Sequence, residues 1–319
     1  MKLLARKLVY LFIMLFIISL ISFIAINAAP NSFFASGELN PNITPESIEQ
    51  LKAIYGLDKP LYVQFFSWFT AILHLDFGIS FASGSMVKDE ILSRIPITLT
   101  INIISMFFIF IISLYLGIKS ALNKNSFFDR FTGQLSLLSF SMPSFYLALI
   151  LVLVFAVNFE ILPIAGLHSV ADDGSIDYYL DFAWHLILPI SIMIFGGIGS
   201  LSLYIRSLTI EILKSDYIFF ARARGLDDKK ILRYFILPNL YPPIITMLGL
   251  SLPGIIGGSV ILETIFSIDG MGLLFFQSAL SHDYPVIMGI LIIGAFLTLI
   301  GNMIADLVLL KLNPNYKDS

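Results

Sequence analysis

Residues 8–28 read LVYLFIMLFIISLISFIAINA, an uninterrupted apolar run that decides the class of fold. Fourteen of these residues are Leu, Ile, Phe or Val. At about −0.3 to −0.6 kcal/mol each, they favour insertion into a bilayer by roughly 4 to 8 kcal/mol. Because a hydrocarbon core about 30 Å thick requires roughly 20 helical residues, the run predicts a membrane-spanning helix.

The composition of the whole chain is typical of a protein whose main solvent is lipid. Of its 319 residues, 57% are hydrophobic and 13% are charged, whereas a soluble domain has about 25% charged residues. A water-soluble fold could not bury so much apolar surface, which argues against soluble enzymes, nucleic-acid-binding proteins and disordered proteins. The chain has no cysteine, which excludes disulfides, thiolate metal sites and cysteine nucleophiles.

Five further uncharged runs are long enough to cross a bilayer, so we expect an all-α membrane protein with six transmembrane helices. The predicted spans are 8–28, 95–118, 131–158, 182–205, 240–262 and 285–305. Pro143 lies inside the third span, where its missing N–H disturbs the helix. The first span could instead be a cleaved signal peptide, but its apolar run exceeds the length typical of such a peptide, so we expect a retained anchor.

Basic residues orient these spans. Cytoplasmic loops carry an excess of Lys and Arg, so the side with more of them is predicted to be cytoplasmic. One side has only Lys52, Lys59, Lys88 and Arg94, and the other 15 of the 19 basic residues lie on the side that holds both termini. Both termini are therefore predicted to be cytoplasmic.

Three regions follow from this topology. They are an N-terminal helix with an external loop at 1–94, a transmembrane core at 95–310 with a cytoplasmic loop at 215–239, and a cytoplasmic tail at 311–319. In the external loop, Thr44-Pro45-Glu46 favours the start of a helix and Gly56 its end. The aromatic stretch 61–75 suits a helix at the membrane interface, or one that packs on the outer ends of the spans.

The cytoplasmic loop contains SDYIFFARARGLDDKKILRYFILPN at 215–239, which is too polar to cross a membrane. A helix is predicted from Ser215 or Asp216 through Arg224, with Gly225 as a left-handed stop. Asp227 can cap a second helix, which Pro238 is expected to break or bend. Two short helices joined at a glycine form a compact knob. Its basic residues could contact an acidic partner, or could be ordinary positive-inside residues.

This segment resembles the loop E-A-A-x(3)-G-x(9)-I-x-L-P of the permeases of ATP-binding-cassette importers, which docks into a groove of the ATPase subunit. Ala221, Gly225, Leu237 and Pro238 match its spacing, whereas its Glu, first Ala and Ile positions are Phe219, Phe220 and Phe235. The segment is more similar to the dipeptide, oligopeptide and nickel branch, whose loop commonly reads D-Y-[VI]-x-x-A-R-A-[KR]-G. The residues that fit that form are Asp216, Tyr217, Ala221, Arg222, Ala223, Arg224 and Gly225.

The resemblance to this branch covers nearly the whole chain. Further matching stretches are LDKPL at 57–61, LDFG at 75–78, SMPSF at 141–145, LP at 188–189, ETIF at 263–266, GMG at 270–272 and DYP at 283–285. In the last external loop, the resemblance implies gate residues at Glu263, Phe266, Gly270 and Gly272. Two places depart from the branch: residues 27–31 read NAAPN where L-P-G-D-P is common, and Asp269 stands where Pro often precedes the glycine.

The resemblance implies a type I importer permease fold that forms half of a translocation path. Implied partners are a second homologous permease, two ATPase subunits and an extracytoplasmic solute-binding protein, in the cell inner membrane and without nucleic acid. ATP and Mg would be used by the ATPase subunits, since the chain has no G-x(4)-G-K-[ST] motif. No catalytic residue and no cofactor or metal site is expected on this chain.

The cargo is not decided by any residue, so di- and oligopeptides come first and nickel or a nickel chelate second. His74, His168, His185 and His282 all fall on the predicted outer side, without ligand spacing. An ion-coupled transporter is a weaker alternative, because Asp306 at the end of the last span is the nearest charge to the bilayer. A membrane enzyme would need Ser191 or Ser200 to work with His185, and Ser191 shares no helix face with it.

Overall fold

The structure, a computed structural model, describes residues 2–28, 59–169 and 175–312. The helix predicted between Thr44 and Gly56, and most of the tail predicted at 311–319, lie outside the described residues.

Within these ranges the chain is built from helices. They are α1 (Lys2–Ala28), α2 (Leu61–Leu73), α3 (Val87–Leu122), α4 (Phe127–Ser141), α5 (Ser144–Leu151), α6 (Ile176–Leu213), α7 (Asp216–Ala223), α8 (Asp228–Ile231), α9 (Leu237–Gly257), α10 (Val260–Ile265), α11 (Met271–Leu280) and α12 (Tyr284–Leu312). A π-helical segment, Val152–Asn158, continues α5, and a second, Leu232–Ile236, joins α8 to α9.

Helices cover all six apolar runs that the sequence predicts as spans. Among the described residues, four helices are long and apolar enough to cross a membrane, and a bent pair makes a fifth. These segments are Val87–Leu122, Ile176–Leu213, Asp228–Ser251, Tyr284–Ile304, and the pair Phe127–Ser141 with Ser144–Asn158. The first run contributes a shorter apolar helix, Val9–Ala25. The all-α membrane class is confirmed for the described part of the chain.

The third run is not one straight helix. Its two halves meet at an angle of 102°. Met142, at the break, has φ −87° and ψ 120°, the extended conformation that a following proline imposes on the residue before it. Pro143 then precedes α5 as its N-cap residue. The bend therefore arises from the proline inside the predicted span.

The fifth run also differs from its prediction. The sequence predicts an unbroken span at 240–262, but α9 ends at Gly257 and the chain becomes helical again at Val260. Gly258, between the two helices, has φ +64°. A glycine adopts this left-handed conformation without steric cost, and it ends a helix.

Contacts divide the chain into two units. The first comprises Met1–Thr98, Ile256–Val260 and Asp269–Met303, and the second comprises Leu99–Ile255, Ile261–Ile268 and Ile304–Ser319.

In the first unit, the aromatic helix α2 packs against α1. The Phe16 ring lies 5.6 Å from the Phe65 ring and 5.3 Å from the Phe69 ring, in edge-on geometry. Phe65 and Phe69 are buried. Because Phe16 lies near the middle of the predicted span 8–28, the aromatic stretch packs along this span and not on its outer end.

The second unit has a core that joins five of its helices. Its buried members include Phe110, Leu201, Ile205, Ile218, Ala221, Ile231, Ile236 and Leu240. These residues come from α3, α6, α7, the segment from α8 to α9, and the start of α9. The knob predicted at 215–239 is therefore packed into the second unit.

The candidate coupling site

The first helix of the knob ends as its sequence predicts. Asp216 opens α7, and Arg224 follows its last residue as the C-cap. The Gly225 N–H donates to the Arg222 carbonyl at 2.9 Å, and the Leu226 N–H donates to the Ala221 carbonyl at 3.2 Å. This pair of hydrogen bonds is a Schellman motif, and it requires the φ of +79° that Gly225 adopts.

The second helix begins at the predicted cap. The Asp227 carboxylate accepts a hydrogen bond from the Lys230 N–H at 2.9 Å. Asp228 lies in the first turn of α8, where the positive end of the helix dipole stabilises its negative charge. Its carboxylate also lies 3.5 Å from the Arg222 guanidinium, but both side chains are exposed, so this ion pair contributes little stability.

Of the break or bend that the sequence predicts at Pro238, the break does not occur. The chain remains helical through Pro238 up to Gly257. A π-helical turn precedes the proline, and in it the Leu237 N–H donates to the Leu232 carbonyl, five residues earlier. A widened turn of this kind lets the helix continue where proline has no N–H to donate.

One face of α7 is anchored in the core. Ile218 and Ala221 are buried and belong to the cluster that contains Ile205, Ile231 and Ile236. Leu226, which follows the stop, packs against the same cluster. The packing around Ala221 favours a small side chain, because a larger one would have to displace buried neighbours.

The opposite face of α7 carries an exposed aromatic pair. Phe219 and Phe220 are 69% and 61% exposed, and their rings lie 5.7 Å apart, edge to face. Tyr217 is also exposed, and its ring stacks on Phe235 at 6.3 Å, which links α7 to the segment after α8. This face of α7 therefore presents large apolar side chains on a segment that is otherwise polar.

The remaining motif residues lie around this aromatic pair. Asp216, Arg222, Ala223, Arg224 and Pro238 are exposed, and Leu237 is half-buried. The sequence places Phe219 and Phe220 correctly on α7, but nothing in the residue pattern indicates that they face outward while Ile218 and Ala221 are buried.

The four gate residues implied by the resemblance do not share one unit. Glu263 and Phe266 are buried in the second unit, where the Phe266 carbonyl accepts a hydrogen bond from the Gly166 N–H at 2.7 Å. Gly270 and Gly272 belong to the first unit, at the start of α11.

Polar contacts in the first unit hold both ends of α11. At one end, the Arg94 guanidinium lies 2.8 Å from the Asp269 carboxylate, and the Met271 N–H donates to the Thr98 hydroxyl at 2.9 Å. At the other end, Asp283 is buried and accepts hydrogen bonds from the turn at 80–82. Sequence analysis does not find these contacts, since the partners are far apart in the chain.

Two of the histidines that the sequence leaves scattered lie close together. The Nδ1 atoms of His168 and His185 are 3.8 and 3.4 Å from the carboxylate of Asp181. The rings of His168 and Tyr178 stack with their centroids 3.9 Å apart. In the described ranges, no group of three or more His, Cys, Asp or Glu residues could hold a metal ion.

Two family models match this chain. The model of the binding-protein-dependent transport system inner membrane component matches residues 113–318. The model of the N-terminal part of such membrane components matches residues 1–102.

Characterised proteins match over nearly the full length. The oligopeptide transport system permease protein AppB of Bacillus subtilis is 35% identical over 298 residues, which cover 93% of each chain. The metal-staphylopine import system permease protein CntB of Staphylococcus aureus is 29% identical over 320 residues, which cover 99% of this chain and 98% of that one.

A solved structure has a similar fold. A chain of the MetNI methionine ABC transporter, in an inward-facing conformation, matches with a TM-score of 0.53. The match covers 70% of this chain and 96% of that chain at 16% sequence identity, so it indicates the fold alone.

Proposed function

Because this chain belongs to the family of binding-protein-dependent transport system inner membrane components, we propose that it is the permease subunit of an ATP-driven importer of di- and oligopeptides. Members of this family are membrane permeases, and the ATPase of such an importer is a separate protein. The chain is accordingly an inner-membrane protein with several apolar helices.

The observation that carries the coupling role is the packing of α7. Its buried face is fixed in the core of the second unit, while its exposed face presents Phe219 and Phe220. A helix held in this way transfers a push on its exposed face to the helices beneath it. We assign the contact with the ATPase to the segment 216–238, with Asp216, Tyr217, Ala221, Arg222, Ala223, Arg224, Gly225, Leu237 and Pro238 as its motif residues.

The proposed topology has six spans with both termini in the cytoplasm. It retains the regions 1–94, 95–310 and 311–319, with the loop 215–239 on the cytoplasmic side. The excess of Lys and Arg on that side supports this orientation. In the assembled importer the chain pairs with a second homologous permease, two ATPase subunits that use ATP and Mg, and a solute-binding protein. Glu263, Phe266, Gly270 and Gly272 are proposed to act on the outer side.

Peptides are the proposed cargo because the relative named as an oligopeptide permease shares 35% identity with this chain. A metal chelate is the second candidate, supported by the relative named as a metal-staphylopine permease at 29% identity. Two measurements distinguish these candidate cargoes. The first identifies the ligand that co-purifies with the solute-binding protein, and the second asks whether a nickel chelate competes with labelled peptide for uptake. Peptide binding without such competition supports the first candidate.

The coupling role is tested by replacing Gly225 with valine in the reconstituted importer. A β-branched residue cannot adopt φ +79° without strain of about 1–2 kcal/mol, so the Schellman end of α7 should be lost. We expect ATP-driven peptide uptake to be abolished while the variant remains in the membrane at the wild-type level.

Gly133→Ala is the matched control. An added Cβ meets nothing within 4 Å at either glycine, but only Gly225 has a left-handed backbone. Uptake by the control should equal that of the wild type. Normal uptake by Gly225→Val would refute the coupling role.

A further inference from the structure

Helices α4 and α6 of the second unit are joined by a row of polar contacts. The row consists of Ser139 with the Phe195 carbonyl, Ser136 with Ser202, and Asp129 with Arg206. The contacts follow the two helices in opposite directions along the chain, so α4 and α6 lie side by side and antiparallel. Polar contacts of this kind hold helices together in a bilayer, where water does not compete for them.

The two backbones approach closely along this row. A Cβ atom on Gly199 would lie 2.6 Å from the Ser136 carbonyl oxygen, which is too close for any side chain. The hydroxyls of Ser136 and Ser202 are 2.8 Å apart, and both residues are buried. Because small residues let the two backbones approach this closely, the helices have little room to slide past each other.

The row ends in an ion pair whose carboxylate, that of Asp129, is buried and hydrogen-bonded on both oxygens, while the Arg206 side chain is 25% exposed. Asp129 is 6% exposed, and its carboxylate accepts hydrogen bonds from Arg206 Nε at 2.6 Å and Arg206 Nη2 at 2.8 Å. The Asn125 N–H donates to it at 2.9 Å, and the Ser120 hydroxyl donates as well. Asp129 thus connects the end of α3, the turn after it, α4 and α6.

The position of Arg206 in α6 gives this ion pair its significance. α6 ends at Leu213, and α7 begins at Asp216. Residues of α6 on both sides of Arg206, including Ile205 and Leu208, pack in the cluster that anchors α7. A force that reaches α7 therefore acts on the part of α6 that holds Asp129.

We propose that the Asp129–Arg206 ion pair positions α4 on α6, so that a displacement of α7 moves the two helices as one body. The proposal rests on the proposed function, in which α7 receives the movement of the ATPase. Both are positioning residues, because the role argued for them acts through α4 and α6. The bidentate geometry suits this role, because two parallel hydrogen bonds from one guanidinium fix orientation as well as distance.

The role also explains why an ion pair is used there. A buried ion pair is a weak source of stability compared with apolar side chains of the same volume, but removing one partner leaves an uncompensated charge. The pair therefore makes sliding or rotation of α4 on α6 costly at the end nearest α7. At its other end, α4 stops at the 102° bend, where movement of the helix can become a change of angle.

The first test measures peptide transported per ATP hydrolysed by the complete importer in proteoliposomes. The variants are Arg206→Gln and Asp129→Asn. Arg206→Lys is the conservative change, because lysine keeps the positive charge but cannot donate two parallel hydrogen bonds to the Asp129 carboxylate. We expect the first two to lower the ratio by about tenfold, the range typical of coupling between sites, and Arg206→Lys to lower it less. The control is Arg130→Gln, since Arg130 is exposed and donates only to the Asn125 carbonyl, and it should leave the ratio unchanged.

The ratio separates a positioning role from a merely structural one. A structural defect lowers the amount of assembled importer, so uptake and hydrolysis fall together and the ratio stays constant. An unchanged ratio in Arg206→Gln and Asp129→Asn would overturn the proposal.

The second test does not require that the proposed function be correct. Because the chain has no cysteine, Phe127→Cys and Lys214→Cys can carry two spin labels, at exposed positions near the start of α4 and the end of α6. In the otherwise wild-type chain, we expect one narrow distribution of the distance between the two labels, and this distribution should not change when ATPase subunits bind ATP. Once Arg206→Gln is added, the distribution should become broad. If the ATPase subunits fail to bind this chain, the proposed function is wrong, and the comparison without them still decides whether the ion pair holds α4. Equal distributions with and without Arg206→Gln, or a shift with ATP in the wild-type background, would overturn the inference.

Discussion

At the scale of single residues, two glycines have different reasons to lack a side chain. Gly225 has open space around it but a left-handed backbone, so the conformation of the turn is what excludes other residues. Gly199 lies within α6 without a left-handed backbone, but its position faces the Ser136 carbonyl, so space excludes even a methyl group. The sequence predicts Gly225 as a helix stop, but it does not distinguish Gly199 from the other glycines of the predicted span 182–205.

Gly199→Ala is predicted to destabilise the second unit by forcing α4 and α6 apart. Overpacking a tight contact typically costs about 1–3 kcal/mol, so the melting temperature of the purified protein in detergent should fall. Gly196→Ala, on the same helix, is the matched control, because an added Cβ there meets nothing within 4 Å. Alanine also favours a helix more than glycine does, so the control should melt at the wild-type temperature or slightly above it. Equal melting of the two variants would show that the close approach at Gly199 is not a constraint.

At the scale of elements, α7 has one face that is buried and one that is exposed. Ile218 and Ala221 fix it to the core, and the Schellman end at Gly225 sets the direction in which the chain leaves it. Phe219 and Phe220 add nothing to that core, since both are largely exposed. The stability of the helix and its contact surface can therefore be changed independently.

The double change Phe219→Ala and Phe220→Ala is predicted to weaken binding of the ATPase subunits without affecting membrane insertion. Aromatic side chains at the centre of an interface often contribute about 2 kcal/mol or more, so the dissociation constant should rise by more than tenfold. The measurement is the affinity of purified ATPase subunits for the chain in lipid nanodiscs. Phe127→Ala is a suitable control, because Phe127 is 83% exposed on α4 and lies outside α7. A dissociation constant unchanged in the double variant would remove the aromatic pair from the docking surface.

Sequence predicts the helical elements of this protein better than their breaks. The apolar runs, the stop at Gly225 and the cap at Asp227 depend on local chemistry, and each is confirmed. A proline in an apolar run can be accommodated by a sharp bend, as at Pro143, or by a widened turn, as before Pro238, and the sequence pattern does not decide between the two.

Contacts between distant segments were the part that sequence could not supply. Asp129 and Arg206 are separated by 77 positions, and the charge pattern assigns Arg206 only to the basic side of the membrane. Serine and glycine in an apolar helix are equally compatible with lipid and with a helix contact. Only the packing of α4 on α6 shows that Ser136, Ser139 and Gly199 face a neighbour.

At the scale of the whole molecule, the proposed orientation in the membrane rests on charge. A bilayer offers no reference direction to an apolar helix, so the orientation is predicted from the uneven distribution of Lys and Arg between the loops. All of the proposed function depends on this orientation, because α7 can meet an ATPase only in the cytoplasm.

Cysteine labelling of oriented vesicles tests the orientation directly. The chain contains no native cysteine, so a single introduced one has no background, and Lys88 and Lys230 are exposed positions on the two predicted sides. In right-side-out vesicles, a membrane-impermeant maleimide should label Lys88→Cys and leave Lys230→Cys unmodified, and inside-out vesicles should show the reverse. Lys124→Cys, in the turn before α4, is expected to behave like Lys230→Cys, which guards against local shielding by a bound ATPase subunit. If Lys230→Cys were labelled in right-side-out vesicles as fast as Lys88→Cys, Lys230 and α7 would lie at the outer surface. That result would contradict both the topology and the coupling role of α7.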